Sequence, residues 1–282
     1  MTSAYIAALL VSGLSSGLPI GIAALGGLCT EMAGSLSVAL EGSMLFGSYA
    51  AIHVYLGSGS LALALGAALC AGSLTGLVVG WTATRLHADV FVAGLAANLL
   101  APALVALVAE RSFGTKGILA LPPALAKAAL GQNLTVLILL GLGVAVLGTL
   151  IHATPLGNRL QAAGERGEVA RASGLDRDSL RLGAHILAGA ASGLAGAALS
   201  LSIAAFVPGM SAGRGWMALV AIYLGGKKPL GTLVASLSFG LLLALANLAQ
   251  STRWLPPELL PALPYLITGI VYIFARRPAT SY

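Results

Sequence analysis

Long apolar runs alternate with short polar breaks along the chain, and many of the runs approach the roughly 20 residues an α-helix needs to cross a hydrocarbon core. On that criterion spans are predicted near 4–28, 35–56, 61–83, 89–109, 133–153, 180–204, 229–249 and 262–276, with a shorter, glycine-rich ninth near 214–226. Polarity does not alternate within them: LALALGAALCAGSLTGLVVG at 61–80 lacks the period-2 pattern of a transmembrane β-strand. The spanning elements are therefore helices, and their many small residues allow close backbone approach in lipid. The ninth segment is bounded by Arg214 and by Lys227 and Lys228. It reads as a short crossing or as a re-entrant segment buried in protein, and the charge map favours the crossing.

One long polar island interrupts the pattern at 154–181, TPLGNRLQAAGERGEVARASGLDRDSLR. Its five arginines, Arg159, Arg166, Arg171, Arg177 and Arg181, put it on the cytoplasmic side under the positive-inside rule. The span at 180–204 then exits, 214–226 returns to Lys227 and Lys228, 229–249 exits, and 262–276 returns to Arg276 and Arg277. Working backwards, the loop with Arg85 and His87 is inside and the N-terminus outside, so nine crossings leave the C-terminus cytoplasmic. The loop at 110–132, with Arg111, Lys116 and Lys127, is external in this scheme and runs against the rule.

Composition excludes an ordinary soluble domain: 58% of residues are apolar and 9% charged, with a mean hydropathy of +0.95, against about 25% charge in soluble domains. The net charge of +6 is spread over segment boundaries, which argues against a nucleic-acid partner and for membrane orientation. Cys29 and Cys70 are read as two small buried hydrophobes rather than a disulfide. The start, MTSAYIAALLVSG, has no basic residue before its apolar run, so the first helix is expected to be retained. Residues 1–282 are thus read as one transmembrane domain, an all-α integral membrane protein forming a polytopic helical bundle of about nine transmembrane segments.

At an offset of 179 residues, Ala33, Gly34, Ala39, Leu40, Leu45 and Gly47 face Ala212, Gly213, Ala218, Leu219, Leu224 and Gly226. A repeat displaced by five crossings is inverted in the membrane, an architecture that puts a substrate path between its halves.

Four polar residues in apolar surroundings are candidates for that path. Glu31 and Glu41 are ten residues apart, and a carboxylate at membrane depth needs a partner or a water-filled cavity. Structurally, Glu31 would sit at the membrane surface and Glu41 would bond exposed backbone N–H groups at a helix break beside Gly42. Asn98 falls mid-span, either bonded to a neighbouring helix or touching a polar solute. Ser37 joins them only through a family resemblance, carried by the block at 30–45. Asp89 is placed to N-cap the helix that carries Asn98. His53, His87, His152 and His185 show no metal-ligand spacing and are read as isolated packed or boundary residues. No G-x-S-x-G elbow and no phosphate-gripping G-x-x-x-x-G-K-[ST] loop is present, so neither catalytic nor metal-binding residues are assigned. GGKKPLGT resembles the phosphate loop only superficially, because Lys228 follows Lys227 where Ser or Thr is required. If ATP drives transport here, another subunit hydrolyses it.

Three blocks carry a family resemblance. The island run LQAAGERGEVARASGL, followed by AHILAGAASGLAGAALSL, resembles the cytoplasmic coupling region and next helix of bacterial ABC-importer permeases of the ribose, nucleoside and branched-chain amino acid type. FVPGMSAGRGWMALVAIYLGGKKPLGTLVASLSFG is similar to that family's G-R-G-F-I-A-L-A and later G-x-x-x-P-x-G and F-G segments. TEMAGSLSVALEGSML resembles E-R-x-G-V-L-N-I-G-L-E-G-M-M of the nucleoside-type members. Met32 and Ser37 depart from the usual Arg and Asn there, and Gln161 and Arg166 from the usual Arg and Asn of the coupling stretch.

The resemblance implies a type II ABC importer-like fold and a multi-pass place in the bacterial plasma membrane. It also implies a permease role in ATP-driven nucleoside import, with no enzymatic activity in this chain. Implied partners are a cytoplasmic ABC ATPase holding ATP with magnesium, a second permease in a homo- or heterodimer, an extracytoplasmic solute-binding protein and the lipid bilayer. The coupling surface would be Gly164, Glu165, Arg166, Ala170, Ala172 and Gly174, the glycines ending or bending short helices and the alanines allowing close docking. Ribose or another sugar, riboflavin and branched-chain amino acids are alternative solutes. An ion-coupled secondary carrier using Glu31 and Glu41, or a scaffold protein, are alternatives of other classes.

Overall fold

The computed structural model describes residues 3–165, Ala170 and 172–251. Helices form at α1 (Ser3–Met32), α2 (Leu40–Ser58), α3 (Leu61–Arg85), α4 (Val90–Phe113), α5 (Pro123–Ala153), α6 (Pro155–Glu165), α7 (Arg177–Ser202), α8 (Arg214–Leu224) and α9 (Pro229–Ser251). Among the described residues, five stretches are long and apolar enough to cross a bilayer: Ile6–Met32, Leu61–Arg85, Val90–Phe113, Arg177–Ser202 and Pro229–Leu248. The segment predicted near 214–226 is α8, whose 11 residues span about 16 Å at 1.5 Å per residue, half of a core about 30 Å thick. The span predicted at 262–276, with Arg276 and Arg277, lies outside the described residues.

Side chains set the helix starts. Asp89 caps α4 by accepting the Phe91 and Val92 N–H groups at 2.8 and 3.1 Å. Asp176 caps α7, accepting from the N–H groups of Asp178 at 3.0 Å and Ser179 at 3.3 Å. The Ser179 hydroxyl donates to the same carboxylate at 2.5 Å. That hydroxyl bond, with the Ser179 N–H, holds the Asp176 carboxyl below the usual carboxylate range.

Lipid tails are as apolar as leucine, so helix association here depends on close packing. α7 takes α3, α2 and α1 against its sides, and α1 also packs along α9. The crossings are made by glycines whose missing Cβ lets backbone meet backbone: Gly72 against Gly189, Gly193 against Ala68, and Gly196 against the Met44 carbonyl. On the other side Gly240 lies against Gly13 and Gly17. Ile20, Leu28, Leu160, Ile222 and Phe239 fill one core between α1, α6, α8 and α9. Leu45, Tyr49, Ile52 and Phe206 belong to a second, around α2.

Cys29 is buried, but Cys70 is exposed, contrary to the expectation that both are buried. It lies on the outer side of α3 with Leu74 and Val78, which are also exposed, since an apolar run has no polar face to mark which side packs.

Strands β1 (Leu119–Ala120) and β2 (Ala205–Phe206) pair antiparallel. They bring the loop after α4 to the finishing end of α7. Arg85 acts electrostatically on Asp176, so the loop after α3 shares the opposite end with the island. Between these ends the chain reverses irregularly twice, at 33–39 between α1 and α2 and at 203–213 between α7 and α8. Each reversal contains a left-handed glycine, Gly34 at φ +66° and Gly213 at φ +81°.

Candidate functional site

A helix start leaves its first N–H groups without intrahelical partners. At α8 Glu41 supplies them: Oε1 accepts the Gly213 N–H at 2.9 Å and Oε2 the Gly215 N–H at 2.7 Å. Glu41 itself stands in the first turn of α2. One interrupted helix therefore caps the other, and the carboxylate lies where the α8 dipole is positive. Gly215 is required by this approach, because a Cβ there would lie 2.8 Å from Glu41 Oε2.

Asn98 performs the matching task for α2. Its Oδ1 accepts the Gly42 N–H at 2.8 Å and its Nδ2 donates to the Val38 carbonyl at 2.9 Å. Both ends of the amide are thus committed to the backbone entering α2, whose own N-cap, Ala39, has no side chain able to do so. Ser37 is buried in the same entering segment.

Glu31 lies elsewhere, at the end of α1. Its carboxylate pairs with Lys227 Nζ at 2.9 Å and accepts the Tyr223 hydroxyl at 2.9 Å. The Lys227 ammonium stands 5.0 Å from the Tyr223 ring centre. The Glu31 side chain is 7% exposed and that of Lys227 53%, so the pair joins the ends of α1 and α8 with one partner open to solvent. The four path candidates thus divide: Glu41 and Asn98 meet at the start of α2 with Ser37 nearby, while Glu31 belongs to the α1–α8 tie.

In the island, Gly164 packs on the backbone at 32–34; a Cβ at Gly164 would lie 2.8 Å from the Gly34 nitrogen. Arg177 Nε donates to the Ala163 carbonyl at 2.9 Å, closing the island onto the start of α7. Ala170 is buried, whereas Glu165 and Ala172 are exposed. Gly174, at φ +78°, is followed by Leu175, whose N–H reaches back to the Ala170 carbonyl at 3.0 Å. This is the left-handed pattern that terminates a helical turn. Arg166 and Arg171 lie outside the described residues.

Sequence reading missed a second set of contacts. Arg181, taken only as an orientation charge, donates from Nε to the Ala33 carbonyl at 3.1 Å and from Nη2 to the Gly34 carbonyl at 2.7 Å. His185, taken as isolated, is buried with Nε2 2.8 Å from Ser35 Oγ. The available signal was spacing: Arg181 and His185 are four residues apart on one face of α7.

Comparison with known proteins adds lineage to this geometry. The model of the family described as branched-chain amino acid transport system / permease component matches residues 9–275. The chain is 27% identical over 274 residues to the guanosine ABC transporter permease protein of Bacillus subtilis, covering 89% of this chain and 86% of that protein. It is 27% identical over 305 residues to a putative glucose ABC transporter permease protein of Haloferax volcanii, covering 96% and 92%. It is 26% identical over 279 residues to the nucleoside ABC transporter permease protein of Lactococcus lactis, covering 90% and 87%. Among solved structures, PsaBC from Streptococcus pneumoniae in complex with Fab shares the fold. Its TM-score is 0.57 at 12% identity, over 94% of this chain and 90% of that one. With glycine-packed helices, a polar island and a family match over almost its whole length, the chain belongs to the family of branched-chain amino acid transport system permease components.

Proposed function

We propose that the chain is the membrane-embedded permease subunit of an ATP-driven importer that carries nucleosides. The observation that carries the solute class is the block at 30–45. In sequence it resembles nucleoside-type permeases, and two of the similar proteins are described as guanosine and nucleoside permeases. In space the same block holds Glu41, which closes onto the start of α8. The path lies beside the facing starts of α2 and α8, with Ser37, Glu41 and Asn98 shaping its wall and Glu31 holding the α1–α8 end.

The island faces the cytoplasm and receives the ATPase through Glu165, Arg166, Ala172 and Gly174, while Gly164 and Ala170, packed inward, hold its shape. ATP with magnesium is bound by that partner. A second permease, identical or different, completes the path, and an extracytoplasmic binding protein delivers the solute. The chain crosses the plasma membrane nine times with its C-terminus cytoplasmic. An inverted repeat relates the first four spans to the sixth through ninth; among the described residues α1–α3 correspond to α7–α9. Its support is that α3 packs on α7 as α1 packs on α9, each across glycines, and that each half reverses at a left-handed glycine, 179 positions apart.

The similarity to the putative glucose permease, equal in identity to that with the guanosine permease, favours a sugar as second reading. The test is uptake into proteoliposomes holding the complete complex. Labelled guanosine is expected to accumulate only with ATP and the binding protein. Glucose uptake without guanosine uptake would transfer the assignment to the second reading, and uptake driven by an ion gradient without ATPase subunits would sink both.

A further inference from the structure

Residues 33–39 form a strap that reverses the chain between α1 and α2, and its two ends are held by different parts of the molecule. At its first three residues it is gripped from the island side. Gly164 packs against Gly34. The Arg181 guanidinium donates to two consecutive carbonyls, Ala33 at 3.1 Å and Gly34 at 2.7 Å. His185 Nε2 meets Ser35 Oγ at 2.8 Å. At its other end Asn98 holds the Val38 carbonyl at 2.9 Å and the Gly42 N–H at 2.8 Å. One residue before Gly42, the Glu41 carboxylate holds the start of α8 at 2.9 and 2.7 Å. The strap therefore joins the island to the facing helix starts through bonds made almost wholly to backbone. Because most of these side chains hold backbone groups of the strap and of the α8 start, a displacement of the side chain's helix acts on the chain path itself.

We infer that Arg181, assisted by His185, is a positioning residue for transport: it clamps the 33–39 strap to α7, so that movement of the island reaches the start of α8 through Glu41. The inference rests on the reading of the island as the ATPase-docking region. Arginine suits the task because its planar fork reaches two neighbouring carbonyls at once, which a lysine ammonium on a flexible stem does not do with fixed geometry.

The test follows distances within the complete complex, with its ATPase and binding protein, in lipid nanodiscs, and is independent of the solute's identity. In a background with Cys29→Ala and Cys70→Ser, spin labels at the exposed positions Leu156 and Leu86 report the island. Labels at the exposed positions Ala212 and Ile118 report the start of α8. ATP with vanadate is expected to shift both distances in the otherwise wild-type chain. In Arg181→Ala the ATPase is expected to co-purify in normal ratio and the first distance to shift, while the second stays at its resting value. Arg181→Lys and Ser35→Ala are expected to give part of the second shift, and they carry the test if Arg181→Ala is not recovered folded. Wild-type shifts at both pairs in every variant would overturn the clamp. So would loss of both shifts with the ATPase still bound. Failure of the wild-type chain to retain an ATPase would overturn the island reading and this inference with it.

Discussion

At Glu41, one carboxylate satisfies two backbone donors at the start of α8 that lie 172 and 174 residues further along the chain. Leaving a buried donor unpaired costs about 1–3 kcal/mol, so Glu41→Ala is expected to destabilise the protein by about 2–4 kcal/mol. Glu41→Gln keeps one acceptor and should lose about half of that, measured as the denaturation midpoint in detergent. The glycine crossings give a second test. A Cβ at Gly196 runs into the Met44 carbonyl, whereas one at Gly66 meets nothing within 4 Å. Gly196→Val is therefore expected to cost about 3 kcal/mol or more through overpacking and Gly66→Ala almost nothing, by the same measurement. In the sequence Glu41 stood as an acid in an apolar stretch, either on the path or bonding backbone N–H groups, and the second reading placed those groups at its own helix break. Distance along the chain concealed the partner, since no local pattern ties residue 41 to residues 213 and 215.

The positions of several transmembrane elements were legible because the apolar run is a local property, and α3, α4, α7 and α9 lie close to where hydropathy puts them. The strap and the shortness of α8 were harder to read. A glycine-rich apolar stretch has the composition of a helix whether or not its backbone is helical, and the left-handed turns at Gly34 and Gly213 appear only with the coordinates. Helix caps are local again, and the start of α7 yields a prediction with a definite sign. The Asp176 carboxyl titrates below its ordinary range because the Ser179 hydroxyl and N–H bond its charged form. Its capping contribution is therefore fully present above the carboxylate's unfolded pKa and is lost as pH falls through the lowered folded value. Hydrogen exchange at the Asp178 and Ser179 amides should stay protected at neutral and mildly acidic pH and rise below that. The acid-dependent loss of protection should vanish in Asp176→Asn.

For the whole molecule, the arrangement of ends decides the topology. Lys227 stands with Glu31 at the end of α1, which the Gly34–Gly164 contact ties to the island, while Lys116 pairs with Glu110 at 3.1 Å beyond the end of α4. If α8 completes a crossing, a membrane-impermeant amine reagent should modify Lys116 in intact cells and Lys227 only in inverted vesicles. Labelling of both from outside would make α8 re-entrant. The arginines of the island give an expectation for the side of the membrane, but the way the island grips the bundle was not legible, because Arg181 donates its hydrogen bonds to carbonyls that carry no sequence signature.

The cap that Glu41 lends to α8 also orders the making of the protein. During synthesis α2 is complete long before Gly213 and Gly215 exist, and at about 5–20 residues per second the interval is roughly 8–30 seconds. Throughout it the carboxylate lacks the donors that it later holds at the start of α8. The first helices to enter the membrane are consequently unfinished until the last part of the chain arrives. A nascent fragment ending before residue 203 is therefore expected to be less stable than the whole chain, since it lacks the partners of Glu41.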